Sequence, residues 1–176
     1  MGDPFYSSYT GEIKMKFNQA TPMMIRFFMV LILAGFSAPM VNAEDVKLSD
    51  GQTVYVPIYS HIYSGIKARP FDLAATLSIR NTDPTHSITL VAVTYYDSDG
   101  KLVKEYLSEP AKMTALMSTR YIIMEGDKTG GSGANFIVKW KAAQKVNPPI
   151  IEGVMIGTHS GQGISFVSRG QIITDE

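Results

Sequence analysis

The sequence contains no cysteine, which rules out a disulfide framework, a thiolate metal site and a thiol nucleophile, even for a chain destined for an oxidising compartment. It also lacks net charge: 16 basic and 16 acidic side chains balance. Lys101 and Lys104, and Lys139 and Lys141, sit among apolar or acidic neighbours. No basic stripe is left to draw nucleic acid by counterion release, so nucleic acid is not an expected partner. There is no internal repeat, and no apolar run approaches the ~20 residues that a membrane-spanning helix needs.

The longest such run is FFMVLILAGF, residues 27–36. Lys14, Lys16 and Arg26 precede it and the small-residue stretch SAPMVNA follows, ending at Ala43. Basic, apolar and small segments in that order mark a secretory signal peptide, with cleavage expected between Ala43 and Glu44. Residues 1–14 resemble no part of a leader, and a start at Met15 would leave one of ordinary length. The expected organisation is therefore 1–43 as signal peptide and 44–176 as one folded domain, periplasmic or secreted, touching the membrane only transiently. Six of the ten methionines fall in the leader, which removes most of an apparent soft-metal enrichment.

Beyond the leader the apolar period is two, with turn residues recurring every ~8–12 positions, the pattern of an all-β sandwich or barrel. Strands are expected over 53–63, 73–80, 88–96, 101–107, 120–124, 135–141, 150–158 and 164–169. In the first, Val54, Val56, Ile58 and Ile62 share one face and Tyr55, Tyr59, His61 and Tyr63 the other. Pro57 offers no amide proton, so an edge position or a bulge is expected there. The second, third and fourth strands read as an antiparallel meander, with a crossover to a second sheet over 109–117. Trp140, the single tryptophan, is the expected plug between the sheets. The fold class is an immunoglobulin-like antiparallel β-sandwich of seven or eight strands, preceded by a signal peptide.

The words VPIYSHIY (56–63), LSIRNTDP (77–84), TYYDSDGKLV (94–103), GGSGANFIVKW (130–140) and GISFVSRG (163–170) resemble a bacterial family of exported proteins known as the domain of unknown function numbered three-one-two-four. The resemblance runs over nearly all of the mature chain. It implies export and a single domain, and supplies no activity and no site residues.

No catalytic constellation is present. Ser132 (GGSGA) and Ser160 (GTHSG) miss the G-x-S-x-G spacing that exposes a nucleophile on a strand-to-helix turn. The loop GDKTGGSG, 126–133, has its lysine before the glycines and a strand after them, opposite to a phosphate loop. Asp97, Asp99 and Gly100 lack the distal glutamate of a calcium loop, since the twelfth position is Ser108. His61, His86 and His159 have no metal-ligand spacing. No enzyme activity, cofactor or metal is therefore expected. The Tyr55, Tyr59, His61 and Tyr63 row suits contact with a protein partner or small ligand, because tyrosine combines apolar area with a hydroxyl. Aromatic side chains also favour strands for packing alone. The expected function is a non-enzymatic binding or assembly module. The alternative is a periplasmic metal-handling protein that uses His61 or His159 with methionines.

Overall fold

A computed structural model describes residues 47–159 and 161–175. The leader and its cleavage point at Ala43 and Glu44, and Ser160, lie outside the described residues. The described chain is all-β: twelve antiparallel strands and no helix. They are β1 (Ser49–Ile58), β2 (His61–Ser64), β3 (Arg69–Asp72), β4 (Ala74–Arg80), β5 (Ile88–Tyr96), β6 (Leu102–Glu105), β7 (Ala111–Met113), β8 (Ser118–Ile123), β9 (Ala134–Val146), β10 (Ile150–His159), β11 (Gln162–Arg169) and β12 (Gln171–Asp175).

One sheet runs β12-β1-β9-β5-β6, with β7 also paired to β5; a second runs β11-β10-β4-β8; β2 and β3 form a separate hairpin. Period-two alternation turns one face of each large sheet inward. Val54, Val56 and Ile58 of β1 and Phe136, Val138 and Trp140 of β9 join Ala75, Leu77 and Ile79 of β4 and Met155 of β10 in one core. Trp140 and Phe136 have no exposed surface, as expected of the plug between facing sheets. The arrangement is sandwich-like, with open edges on both sheets.

Two expectations change, and one expected strand proves irregular. The meander is replaced by a change of sheet: β4 pairs with β10 and β8, whereas β5 pairs with β9, β6 and β7. Residues 81–87 therefore cross between sheets, and of β4, β5 and β6 only the last two form a hairpin, turning at Asp97, whose side chain accepts from the amides of Asp99 (2.9 Å) and Lys101 (2.8 Å). The second crossing, expected over 109–117, is present, but the chain first adds the short strand β7 to the first sheet and changes sheet only after Met113. Next, β5 is apolar on both faces because of a bulge between Leu90 and Ala92. Its inward set shifts from Ile88 and Leu90 to Val93 and Tyr95, as one extra residue reverses the alternation. Finally, the strand expected over 53–63 stops at Ile58, and β12, which sequence reading missed, lies along its first half at Gln52–Tyr55.

Pro57 sits where β1 pairs only with β9, its carbonyl accepting from Ser168 Oγ at 2.5 Å. β12 reaches the first sheet from β11 through Gly170, whose amide donates to the Ile151 carbonyl at 2.8 Å. A methyl group there would lie 2.7 Å from that carbonyl oxygen and 2.6 Å from Val54 Cγ1, so the change of sheet needs a residue without a side chain.

Candidate functional site

The tyrosine row does not persist as one surface. Tyr55 stays on the outward face of the first sheet, between Ile137 of β9 and Gln171 of β12. Tyr59 falls in the break after β1 and packs edge-on against Phe166 of β11, ring centroids 5.8 Å apart. His61 and Tyr63 lie on β2, two residues apart on one side of the hairpin, with rings 5.2 Å apart and nearly perpendicular. The structure thus brings His61 and Tyr63 together and leaves Tyr55 elsewhere.

The break has a local cause. Ser60 is buried, its amide and hydroxyl both directed at the Gly131 carbonyl, the hydroxyl at 2.8 Å. Its own carbonyl accepts from Leu73 N at 2.9 Å, which closes the base of the β2–β3 hairpin. Gly65 has φ of 72° and opens the hairpin turn, a conformation that costs glycine little. Since the single Ser60 proton is spent on Gly131, His61 Nδ1, 3.1 Å away, must donate to Ser60 Oγ. Nε2 then accepts from the Tyr63 hydroxyl at 3.2 Å. A relay runs from an exposed phenol to the glycine-rich loop.

The hairpin seats on β10 at Gly157, where a methyl group would meet Asp72 O at 2.5 Å and Leu73 Cδ2 and Phe71 Cε1 at 2.8 Å. Lys128 Nζ stands 3.3 Å from Asp72 Oδ1 and ties the glycine-rich loop to the hairpin. Phe71 packs edge-on against His159, centroids 5.9 Å apart. Between the hairpin and the β10–β11 turn lies an open groove of about 360 Å³ lined by Ile62, Ser64, Phe71, Gln162, Gly163 and Ile164. Tyr63 and Ile66 are exposed on the hairpin, at 60% and 107%. Phe71, Ile164 and the hairpin itself were not singled out from sequence; Gly65 and Pro70 are the turn signals that could have found the hairpin.

The glycine-rich loop closes over the β5–β6 turn. Gly130 O accepts from Ser98 N (2.9 Å) and Ser98 Oγ (3.0 Å), and Gly133 N donates to Ser98 Oγ at 2.9 Å. Beneath it, burial, with Asp127 and Tyr106 adding to it, pushes the Tyr95 phenol up to about 12. Hydrogen bonds from Thr129 lower the Asp127 carboxyl, with help from Lys104. These groups hold a turn in place and converge on no reacting centre.

Among the described residues no group of three or more His, Asp or Glu side chains could hold a metal ion. His61 and His159 lie on strands that do not pair. His86 belongs to the first crossing, with Nδ1 3.0 Å from Asp83 Oδ1. Met113 and Met155 are core residues, while Met117 and Met124 are exposed near the two ends of β8.

An all-β, sandwich-like domain with a hairpin-flanked groove is the class that fold and site define. The chain belongs to the family described as protein of unknown function (DUF3124), whose model matches residues 51–173. No curated protein matches it. Among solved structures, the crystal structure of Thermotoga maritima 1070 is similar at 12% identity and a TM-score of 0.38, over 71% of this chain and 97% of that one.

Proposed function

We propose that this protein is an exported, non-enzymatic binding module: an immunoglobulin-like sandwich that works in the periplasm and engages a protein partner or small ligand at the groove beside the β2–β3 hairpin. One observation carries the reading. The hairpin belongs to neither large sheet and presents Tyr63 and Ile66 to solvent beside a groove lined by Ile62, Phe71 and Ile164. Exposed aromatic and aliphatic side chains around a concavity with a few polar groups are the usual make-up of a binding site. The leader pattern ending at Ala43 supplies the address.

Expression with the native leader in a Gram-negative host tests the address: a periplasmic species whose intact mass begins at Glu44 supports it, and a full-length membrane-held product overturns it. A photo-crosslinking residue at Tyr63 tests the surface. It should yield a discrete adduct in living cells that the same residue at Asp99, on the β5–β6 turn, does not. Equal adducts from both positions would remove the groove from the reading.

A further inference from the structure

The outward face of the second sheet carries chemistry that the hairpin groove does not use. Alternation places Thr76, Ser78 and Arg80 of β4 on it, with Ser118 and Arg120 of β8 alongside. The register sets Arg120 opposite Ser78 and Arg80 opposite Ser118. The two arginines are therefore diagonal neighbours on one face, at a spacing of ~7–8 Å. Arg80 Nε donates to Ser78 Oγ at 3.2 Å, which steadies its guanidinium over the groove between them.

That groove, about 330 Å³, is lined by Thr76, Ser78, Ser118, Thr119 and Val154, by Arg80 and Arg120, and by no carboxylate. Among the described residues neither arginine forms an ion pair. The nearest acid on the face, Glu152 of β10, stands opposite Arg169 of β11 on one side and Ser78 of β4 on the other, diagonal to Arg80 but outside the groove between the two arginines. A chain whose charges balance overall thus sets two like charges side by side without an intervening acid. Neighbouring like charges in a sheet are destabilising, and an anion seated between them removes that cost. Guanidinium forks match the paired oxygens of an oxyanion, and hydroxyls supply neutral donors around it.

We propose that the Arg80–Arg120 groove binds a phosphate-type oxyanion, carried by a free small molecule or by a lipid headgroup. The mature chain, labelled with nitrogen-15, is titrated with inorganic phosphate against chloride at matched ionic strength, and separately sedimented with phosphatidylglycerol vesicles. Saturable shifts confined to Ser78, Arg80, Ser118 and Arg120, absent with chloride, are the expected result. Arg80→Gln and Arg120→Gln should each weaken binding about tenfold, as loss of one charge-assisted hydrogen bond does. Arg169→Gln, on the same face but on β11 and outside the groove, should change it less than twofold. Vesicle binding that needs both arginines, without a response to free phosphate, assigns the oxyanion to a headgroup. Binding to neither probe, or equal loss in all three variants, overturns the proposal. Because this groove and the hairpin groove share no lining residue, the outcome is independent of the hairpin groove.

Discussion

Asp83 shows how much one side chain can organise. It is buried in the crossing between sheets, and its Oδ1 accepts from the amides of Thr85 and His86 and the Thr85 hydroxyl, and its Oδ2 from the amide of Asn147. Asn81 beside it donates to the carbonyls of His86 and Thr114. Backbone donation, that of Thr85 foremost, holds the Asp83 carboxyl far below its ordinary 3.8. A depressed folded value means the carboxylate's contribution is complete above the unfolded value and is lost as pH falls towards the folded one. Urea midpoints measured at pH 5 and pH 2.5 should therefore drop for the native protein, and drop less for Asp83→Asn, which has no such proton to bind. Gly157 makes a second prediction. A methyl group there strikes the Asp72 carbonyl, so Gly157→Ala should cost about 1–3 kcal/mol by denaturant unfolding, as overpacking does, and should reduce crosslinking from position 63. The turn cluster 81–84 was legible in sequence as a turn. Its role as the tie between sheets was not, because the partners, Thr114 and Asn147, lie tens of residues away.

Among the elements, β5 gives the sharpest case. Its sequence, ITLVAVTYY, reads as a strand apolar on both faces, and the bulge explains why: the inward set is Ile88, Leu90, Val93 and Tyr95. Deleting Val91 would restore regular alternation with that same inward set, opposite Trp140, Lys139 and Val138 in turn. The deletion should leave a folded protein, weakened within the ordinary range of about 0.5–3 kcal/mol. Deleting Thr94 instead turns Tyr95 out of the core and should cost more than that, since truncating a buried aromatic side chain already costs roughly 3–5 kcal/mol. Equal losses in the two deletions, compared by denaturant midpoint, would refute the bulge account. The same element logic covers Trp140 and β4, where plain alternation pointed to the buried residues.

For the molecule as a whole, the last strand matters out of proportion to its five residues. β12 covers the edge of β1, and Asp175 accepts from Ser49 Oγ at 2.9 Å and pairs with Lys47 at 2.5 Å. The Lys47 and Ser49 hydrogen bonds hold the Asp175 carboxyl below its ordinary value. Ending the chain after Gly170 would uncover the backbone of Gln52–Tyr55 on the side now paired, a template for association between chains. The truncated protein should unfold at lower urea concentration and sediment as larger species at raised concentration. Unchanged monomeric behaviour would show that β12 only decorates the sheet.

Local regularities accounted for most of the strands. Alternation marks β4 and the inward residues of β1 and β9, because a half-buried strand needs apolar side chains at every second position and nothing more distant. Composition likewise settled that no disulfide is possible. Pairing was another matter. Which sheet β4 joins, where β1 ends, and whether Tyr55 shares a surface with Tyr63 depend on backbone hydrogen bonds between segments far apart in the chain. Many alternative pairings would satisfy the same period of two. Only the packed molecule selects among them, since it alone requires that the two inward faces meet over Trp140 and that Gly157 and Gly170 leave room where one strand crosses another.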